Sequence, residues 1–390
     1  MDLVSQFERK VRTSPRLLAR APGRVNLLGE HVDYNAGPVL PAAIDRDVRI
    51  AVAANPDGTA RLHALDLDQQ VSFRLQSLER KTDLAGKPLP GWALYPAGVA
   101  WALQQAGLET TGLDAVYTSN VPIASGLSSS AAVEVAFAVA WQALGGWQVD
   151  RMALARLCQR AENEYVGVSS GLMDQFASAH GVEGHALYFD TRSLEWEPIP
   201  MPPGTALVVA DSGVRRSLTT SAYNERRASC EQGLVILRRH LPHIQTLRDV
   251  SPTEFAAYSE FLPPVVRRRV EHVVKEIARV HSAVVALRSD ERAAFGAIML
   301  SGHASLRDLY EVSTPELDAL VEIASGLPGC YGARLTGAGF GGCTINLVEE
   351  LHAPEFSRRL EKEYQHRTGR QAWVYLCRAS AGAAVETVGR

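Results

Sequence analysis

The hydrophobic pattern is strongest over residues 131–144, which are apolar on nearly all sides and contain neither Gly nor Pro. Such a segment predicts a buried helix, and Gly145 and Gly146 mark its end. The preceding residues, 124–130, read ASGLSSS and are small enough to let the backbone turn tightly. We therefore predict a loop that leads directly into the N-terminus of a buried helix.

This loop has the chemistry of an anion site. Unpaired N–H groups and the positive end of the helix dipole favour a phosphate at a helix N-terminus. Ser128, Ser129 and Ser130 add hydroxyl donors and possible metal ligands. A turn with an N-cap serine is the simpler alternative, and the stretch alone leaves it open. The loop lacks the Gly-Lys-Ser/Thr of a Walker A motif, so positive charge must come from elsewhere.

Residues 18–53 alternate strand-like apolar segments around a polar turn. The turn concentrates ionisable and amide side chains among glycines, a density that favours a site at a strand end. A solvated loop is the alternative, because Asp, Asn and Gly are common there anyway. The polar residues are Arg24, Asn26, Glu30, His31, Asp33 and Asn35.

The remaining periodicity of the first half predicts three strands and two helices. Trp92 and Tyr95 begin one of these helices, where they either stack on a base or pack in the core. Asp174 lies in an apolar segment, where a carboxylate is costly unless it is paired or functional; an N-cap role is the alternative. The strands are predicted at 47–54, 60–73 and 113–119, and the helices at 91–103 and 151–166.

The second half begins with a predicted strand at 208–211 and is rich in helices over 252–327. Residues 267–269, all arginine, lie between valines at helical spacing and are predicted to form a solvated helix face. Residues 337–342 match G-x-G-x-x-G, but a strand follows where the dinucleotide motif requires a helix. Residues 374–377 are predicted as the last strand.

Composition limits the class of protein. A chain of 390 residues with 46% hydrophobic residues predicts two domains. A net charge of −3 gives no basic field for nucleic acid. The five cysteines are odd in number and form no C-x-x-C pair, so neither a disulfide framework nor a zinc site is indicated. Without a signal peptide or an apolar run of ~20 residues, we expect a cytoplasmic protein with no membrane partner. We also expect a monomer with no nucleic-acid partner, and the sequence leaves protein partners open.

Three stretches together resemble the GHMP small-molecule kinases, and within them the galactokinase family. Residues 23–35 are similar to the galactokinase signature, residues 122–132 to the ATP loop of the superfamily, and residues 335–342 to its third motif. The resemblance implies an α+β, two-domain GHMP kinase fold with the active site in the cleft between the domains. A mixed-sheet domain (1–185) would bind sugar and ATP, and a second domain (186–390) would contain an antiparallel sheet and helices.

The resemblance also implies a site. Asp174 would be the catalytic carboxylate and Arg24 its cationic neighbour, while Ser130 and Glu162 would hold Mg²⁺. Val32 departs from the usual Thr of the family, and Ser170 from a common Cys. The sugar would contact Glu30, His31, Val32, Asp33, Gly171 and Tyr223, and ATP would contact Trp92, Tyr95, Ala124, Ser125, Gly126, Leu127, Ser128, Ser129 and Ser130.

The implied reaction is ATP-dependent phosphorylation of D-galactose at its anomeric hydroxyl. Because Arg24 favours the charged carboxylate, Asp174 would be a weak proton acceptor that mainly orients the hydroxyl. The loop at 337–342 would buttress the phosphate loop. A kinase for N-acetylgalactosamine or another sugar, and a galactose sensor without turnover, remain alternatives. The intact Ser130-Ala131 pair favours the enzyme, since such sensors lack it.

Overall fold

The structure, a computed structural model, describes residues 2–122, 125–168, 170–215 and 219–388. No helix in these ranges is both long and apolar enough to cross a membrane. The helices are α1 (Leu3–Val11), α2 (Gly91–Gln105), α3 (Ser129–Gly145), α4 (Arg151–Arg160), α5 (Met173–His180), α6 (Thr219–Leu237), α7 (Pro252–Tyr258), α8 (Pro264–Arg288), α9 (Arg292–Ser305), α10 (Pro315–Gly326) and α11 (Ala353–Thr368). The strands are β1 (Leu17–Asn26), β2 (Pro38–Val39), β3 (Pro41–Asn55), β4 (Thr59–Ala64), β5 (Gln69–Arg74), β6 (Gly112–Ser119), β7 (His185–Asp190), β8 (Trp196–Pro200), β9 (Thr205–Asp211), β10 (Cys330–Thr336), β11 (Cys343–Glu349), β12 (Trp373–Cys377) and β13 (Ala384–Thr387).

These strands form three sheets. A six-stranded sheet has the order β13-β1-β3-β6-β4-β5, with β4 and β6 parallel and the other pairs antiparallel. A four-stranded antiparallel sheet has the order β10-β11-β9-β12, and a small antiparallel sheet has the order β2-β7-β8. The predicted α+β fold, with one mixed sheet and one antiparallel sheet, is confirmed.

Helix α3 is the buried helix that the sequence predicts. It packs against β1, β3, α2 and α5, and the side chains of Phe137 and Trp141 have no exposed surface. Gly146 ends it in the left-handed conformation, with φ of +70°, which glycine adopts without steric cost. The main core cluster continues from α3 to Val270 of α8, so the two halves of the chain share apolar packing.

Three predictions about local structure are wrong. Residues 374–377 are not the last strand, because β13 follows and pairs with β1, Leu17 opposite Thr387. The predicted strand at 60–73 is interrupted by a 3-10 turn at Leu65–Leu67, which separates β4 from β5. The predicted helix at 151–166, by contrast, is confirmed, because α4 continues directly into a π-helical turn at Ala161–Val166. Arg269 is not solvated: it is buried, and its guanidinium binds Glu311 and the Leu309 carbonyl.

Strand β13 joins a sheet whose other members come from the first half of the chain. Likewise, β2 from the first half pairs with β7 after residue 185. Strands from both predicted domains therefore share sheets, and the division at 185/186 stays a prediction.

A buried ion network ties distant segments together. Arg334 of β10 has no exposed surface and binds both Glu276 of α8, at 2.9 Å, and Glu30 of the segment after β1. Its guanidinium also donates to the Leu27 carbonyl, at 3.2 Å, and Arg279 pairs with Glu276 at 2.6 Å. Buried charges are stable only when they are paired and hydrogen-bonded, so these segments are held in one arrangement.

Replacing Arg334 by Met should therefore be strongly destabilising. The change leaves the buried carboxylates of Glu30 and Glu276 without their shared partner, at a cost of about 3–5 kcal/mol in the free energy of unfolding. Arg288→Met is the control, because Arg288 pairs with Glu197 at an exposed site and should matter by ~0–1 kcal/mol. Thermal melts of both variants test this, and equal shifts in Tm would contradict it.

Candidate active site

A cavity of about 760 Å³ opens where loops from both halves of the chain meet. Its size suits a small-molecule ligand, and its wall combines apolar side chains with a few converging polar groups. Most of the residues predicted from the sequence line it. These are Arg24, Glu30, His31, Asp33, Trp92, Tyr95, Gly126, Ser128, Ser129, Ser130, Glu162, Gly171, Asp174 and Tyr223.

The predicted phosphate loop enters α3 as expected, but only part of it faces the cavity. Gly126, with φ of +88°, and Ser128, with φ of +57°, turn the backbone into the helix, which begins at Ser129. A left-handed serine is uncommon and indicates a tightly constrained turn. The side chains of Ser125 and Leu127 are buried instead, and Ser125 donates to the Pro122 carbonyl at 2.7 Å. Ala124 lies outside the described residues.

Arg24 is aimed into the cavity by an irregularity in β1. The register of β1 against β3 shifts between Pro22 and Arg24, as in a β-bulge, which redirects a side chain. A Cβ at Gly23 would lie 2.7 Å from the Leu127 carbonyl oxygen, so glycine lets the phosphate loop approach. The Arg24 N–H donates to that oxygen at 3.1 Å.

Arg24 and Asp174 form the ionic centre of the cavity. Nε and Nη2 of Arg24 lie 2.8 and 2.7 Å from Oδ1 of Asp174, and Nη1 donates to the Gly126 carbonyl at 2.5 Å. The Ser128 hydroxyl donates to Oδ2 of Asp174, also at 2.5 Å. Asp174 lies in the first turn of α5, whose N-cap position is Leu172, so the N-cap alternative is wrong. The carboxylate is thus held at both oxygens on the cavity wall.

Asp33 and Gly171 contact each other closely on the same wall. A Cβ at residue 171 would clash with Oδ2 of Asp33, so glycine is required for this approach. Burial, with a smaller contribution from the nearby Asp174 charge, raises the pKa of Asp33 to about 6. The rings of His31 and Tyr223 lie 5.5 Å apart beside them. Polar groups that can bind a hydroxylated ligand are therefore concentrated at this end.

Two residues predicted to contact the sugar, Glu30 and Val32, have side chains that make other contacts. The carboxylate of Glu30 binds Arg334 and accepts from the Gly337 N–H at 3.1 Å, and burial raises its pKa to about 7. A carboxylate oxygen can accept a second hydrogen bond, so a contact between Glu30 and the sugar stays a prediction. The Val32 side chain is fully buried in the core and is not among the described residues that line the cavity. A role for Val32 would have to run through its backbone.

Glu162 is a nearly buried carboxylate at the cavity wall, on the π-helical turn. It accepts from the Ser170 hydroxyl at 2.5 Å and from the Gln175 amide at 2.9 Å, and Ser130 is a further hydrogen-bond partner. Burial raises its pKa, and within the described ranges it forms no salt bridge. A buried carboxylate beside a hydroxyl fits a hard cation, which prefers oxygen ligands.

Within the part of the chain that the structure describes, no three His, Cys, Asp or Glu side chains are placed to hold a metal ion by themselves. Mg²⁺ usually binds through one or two protein carboxylates together with phosphates and water. The assignment of Ser130 and Glu162 as its ligands therefore stays a prediction.

Aromatic side chains form another part of the cavity wall. Trp92 lies 6.0 Å from the Tyr117 ring, and its indole N–H donates to Gln69 at 2.6 Å. Tyr95 also lines the cavity, and burial raises its pKa to about 12. Sequence analysis missed several other wall residues because the hydrophobic pattern of a strand, helix or turn does not reveal which positions face a cavity. They include Asp66, Leu67, Tyr117, Ser119, Val133 and Asn224.

The glycine-rich loop at 337–342 packs against the first motif. The Gly337 N–H donates to Glu30, and the Ala338 carbonyl lies 3.1 Å from Nε2 of His31. Gly342 joins the end of β9 through its carbonyl, which accepts from the Ser212 N–H at 2.9 Å. These contacts support the residue 30–31 segment, and a role in buttressing the phosphate loop stays a prediction.

Family models match three parts of the chain. Residues 5–54 match the galactokinase galactose-binding signature, residues 95–182 the N-terminal domain of GHMP kinases, and residues 283–366 their C-terminal domain. Each of the three sequence motifs lies within or overlaps one of these matches.

Similar proteins extend this result over almost the whole chain. A galactokinase of Roseiflexus sp. (strain RS-1) is 44% identical over 381 residues, which cover 98% of this chain and 96% of that protein. One of Streptomyces coelicolor is 43% identical over 389 residues, covering 97% and 96%. The crystal structure of Lactococcus lactis galactokinase complexed with galactose superposes with a TM-score of 0.92 at 33% identity and covers 98% of both chains. The chain therefore belongs to the galactokinase family of the GHMP kinases.

Proposed function

We propose that this chain transfers the terminal phosphoryl group of ATP to the anomeric hydroxyl of D-galactose, giving galactose 1-phosphate and ADP. The observation that carries the proposal is the carboxylate of Asp174, held by Arg24 and Ser128 on the wall of a cavity that polar and aromatic side chains also line. Its relatives are galactokinases, and the Lactococcus lactis enzyme was crystallised with galactose. Neither a kinase for N-acetylgalactosamine nor a sensor without turnover is favoured.

Asp174 would act mainly by orientation. Its Oδ1 accepts two hydrogen bonds from Arg24 and its Oδ2 accepts one from Ser128, so the carboxylate is fixed in position. In a loose phosphoryl-transfer transition state, the hydroxyl proton can leave late. Asp174 would therefore align the anomeric hydroxyl and receive its proton at the end of the transfer, while Arg24 stabilises charge on the phosphoryl group.

The N-terminus of α3 and the hydroxyls of Ser128, Ser129 and Ser130 would bind the ATP phosphates. Ser130 and Glu162 would hold Mg²⁺, which when bound neutralises phosphate charge. Trp92 and Tyr95 would contact the adenine. We further propose that the protein is a cytoplasmic monomer.

The polar end would select the sugar. Asp33 is half-buried and opens onto the cavity, so its carboxylate can accept hydrogen bonds from ring hydroxyls. A sugar with one hydroxyl inverted leaves an acceptor unpaired, at about 1–3 kcal/mol. Glu30, His31, Gly171 and Tyr223 complete this wall, with Val32 contributing through its backbone at most.

Asp174→Asn should abolish most turnover. The amide keeps the shape but removes the negative charge that Arg24 and the sugar hydroxyl need, so kcat should fall by about 10²-fold or more. Coupled ATP turnover with Mg²⁺ on galactose, glucose, mannose, N-acetylgalactosamine and no sugar measures both activity and specificity.

Asp308→Asn is the control for this substitution, because Asp308 is an exposed carboxylate paired only with its neighbour Arg307 among the described salt bridges. It should leave kcat unchanged. Near-full activity of Asp174→Asn would overturn the role of Asp174, whereas wild-type turnover on a sugar other than galactose would overturn the proposed substrate.

Gly171→Ala should weaken galactose binding more than ATP binding. The new methyl group clashes with Asp33 and must displace its carboxylate, so the KM for galactose should rise about tenfold or more. Gly326→Ala is the matched control, because a Cβ at Gly326 meets no atom within 4 Å. If both variants have the same KM for galactose, Asp33 is not part of the sugar site.

The pKa of Asp33 predicts an acid limb in the pH profile. With a pKa of about 6, Asp33 is charged at pH 7–8 and protonated below pH 6, where it loses acceptor capacity. The kcat/KM for galactose should therefore fall as pH decreases through about 6, approaching tenfold per pH unit.

Glu30, whose pKa is about 7, titrates in the same range. Asp33→Asn separates the two groups, because it should lower kcat/KM at pH 8 and remove the limb near pH 6. A limb of unchanged position in this variant would assign it to another group.

A further inference from the structure

A chain of buried hydroxyl and thiol groups leads away from His31 behind the cavity wall. Nδ1 of His31 lies 2.9 Å from the Tyr34 hydroxyl, which lies 2.7 Å from the Tyr310 hydroxyl. The Tyr310 hydroxyl in turn lies 3.2 Å from the Cys230 sulfur. Of these four residues, only His31 is among the described residues that line the cavity.

For a neutral His31 ring, the direction of every proton in this chain of hydrogen bonds follows from the contact at Nε2. Nε2 of His31 faces the Ala338 carbonyl oxygen at 3.1 Å, and a carbonyl can only accept, so Nε2 must carry a proton. In the neutral ring, Nδ1 is then an acceptor, and the Tyr34 hydroxyl must donate to it. Because that hydroxyl has one proton, its oxygen accepts from Tyr310.

The same reasoning reaches the far end. The Tyr310 hydroxyl proton is used toward Tyr34, so its oxygen accepts the S–H of Cys230. The Asn35 amide is a hydrogen-bond partner of the Cys230 sulfur, and it also donates to the His31 carbonyl at 3.0 Å. Burial raises the pKa of both phenols well above the usual range and that of the thiol to about 11, which keeps all three protons in place.

We propose that Tyr34, Tyr310 and Cys230 are positioning residues that hold His31 as the Nε2–H tautomer with its ring fixed in the cavity wall. Packing supports this: the Tyr310 ring lies 4.8 Å from that of His31, and His31 has a left-handed backbone with φ of +64°. A left-handed non-glycine residue requires surrounding contacts to keep it there.

The chain of hydrogen bonds also connects His31 to α6, the helix that carries Tyr223. Cys230 follows Tyr223 by seven residues, so the two lie on one face of α6. The Tyr223 ring lies 5.5 Å from both His31 and Tyr34. The hydrogen bonds from Cys230 to His31 thereby align α6 with the polar end of the cavity. Its effect on sugar affinity rests on the proposed function.

Tyr34→Phe tests the chain by removing the donor to Nδ1. In protein labelled with ¹⁵N-histidine, long-range ¹H–¹⁵N spectra distinguish the two neutral tautomers, and His31→Asn identifies the His31 signals among those of the 11 histidines. We expect the Nε2–H pattern in the wild type and a mixture of tautomers in Tyr34→Phe. The KM for galactose should rise about fivefold in this variant, with kcat changed by less than about twofold.

Tyr364→Phe is the matched control, since it removes another buried hydroxyl, which donates to the Ser212 carbonyl at 2.9 Å, without touching the chain. It should leave the His31 signals unchanged. Cys230→Ser retains a donor to Tyr310 and should behave as the wild type, whereas Cys230→Ala should shift the His31 signals and raise the KM about twofold.

An Nδ1–H pattern in the wild type, or His31 signals that are identical in Tyr34→Phe and Cys230→Ala to those of the wild type, would overturn the proposal. Absence of turnover on galactose would instead defeat the proposed function. The tautomer measurement would still decide whether these hydrogen bonds hold His31 as the Nε2–H tautomer.

Discussion

The structure depends on the pairing of Arg334, a cation without exposed surface, with two buried carboxylates. Burying any of these charges without a partner would cost several kcal/mol, so the three groups stabilise one another, and Arg279 adds a second partner for Glu276. Glu30 follows β1, Glu276 belongs to α8, and Arg334 belongs to β10. The first motif of the chain is thereby held against two elements that follow it by more than 240 residues. Glu30, which lines the cavity, is held in position by this network.

Electrostatics within the cavity follow from a concentration of carboxylates. The charge of Asp174 adds to the effect of burial, which is larger, in raising the pKa of Asp33, of Glu162 and of the fully buried Glu134. The amide of Gln175 donates to both Glu134 and Glu162, at 2.9 Å each. Arg24 compensates Asp174 directly. A divalent cation bound at Glu162, as proposed above, would stabilise the charged form of this carboxylate.

Close backbone approach is the second constraint on the site. Gly23 lets the phosphate loop lie against β1, and Gly171 lets its backbone lie against the Asp33 carboxylate. At neither position is there room for a methyl group without displacement. Arg24, Asp33 and Asp174 can therefore face one small volume although they come from three separate segments. The chain from Cys230 to His31 adds hydrogen bonds that orient one more wall residue.

The sequence by itself determined the elements whose signals are local. The buried helix α3, the loop before it and the three motifs were recognisable because apolar periodicity and glycine spacing are properties of neighbouring residues. The resemblance carried by those motifs identified the fold, and it named Arg24, Asp33 and Asp174, all of which line the cavity.

Only the tertiary structure decided the contacts between segments far apart in the chain. Arg334 is separated from Glu30 by 304 residues, and nothing in its strand pattern predicts a buried ion pair. The same holds for the donor from Ser128 to Asp174, for the burial of Val32, Ser125 and Leu127, and for the return of β13 to β1. The physical reason is that pairing, burial and cavity exposure depend on which surfaces meet after folding, and local patterns carry no information on that.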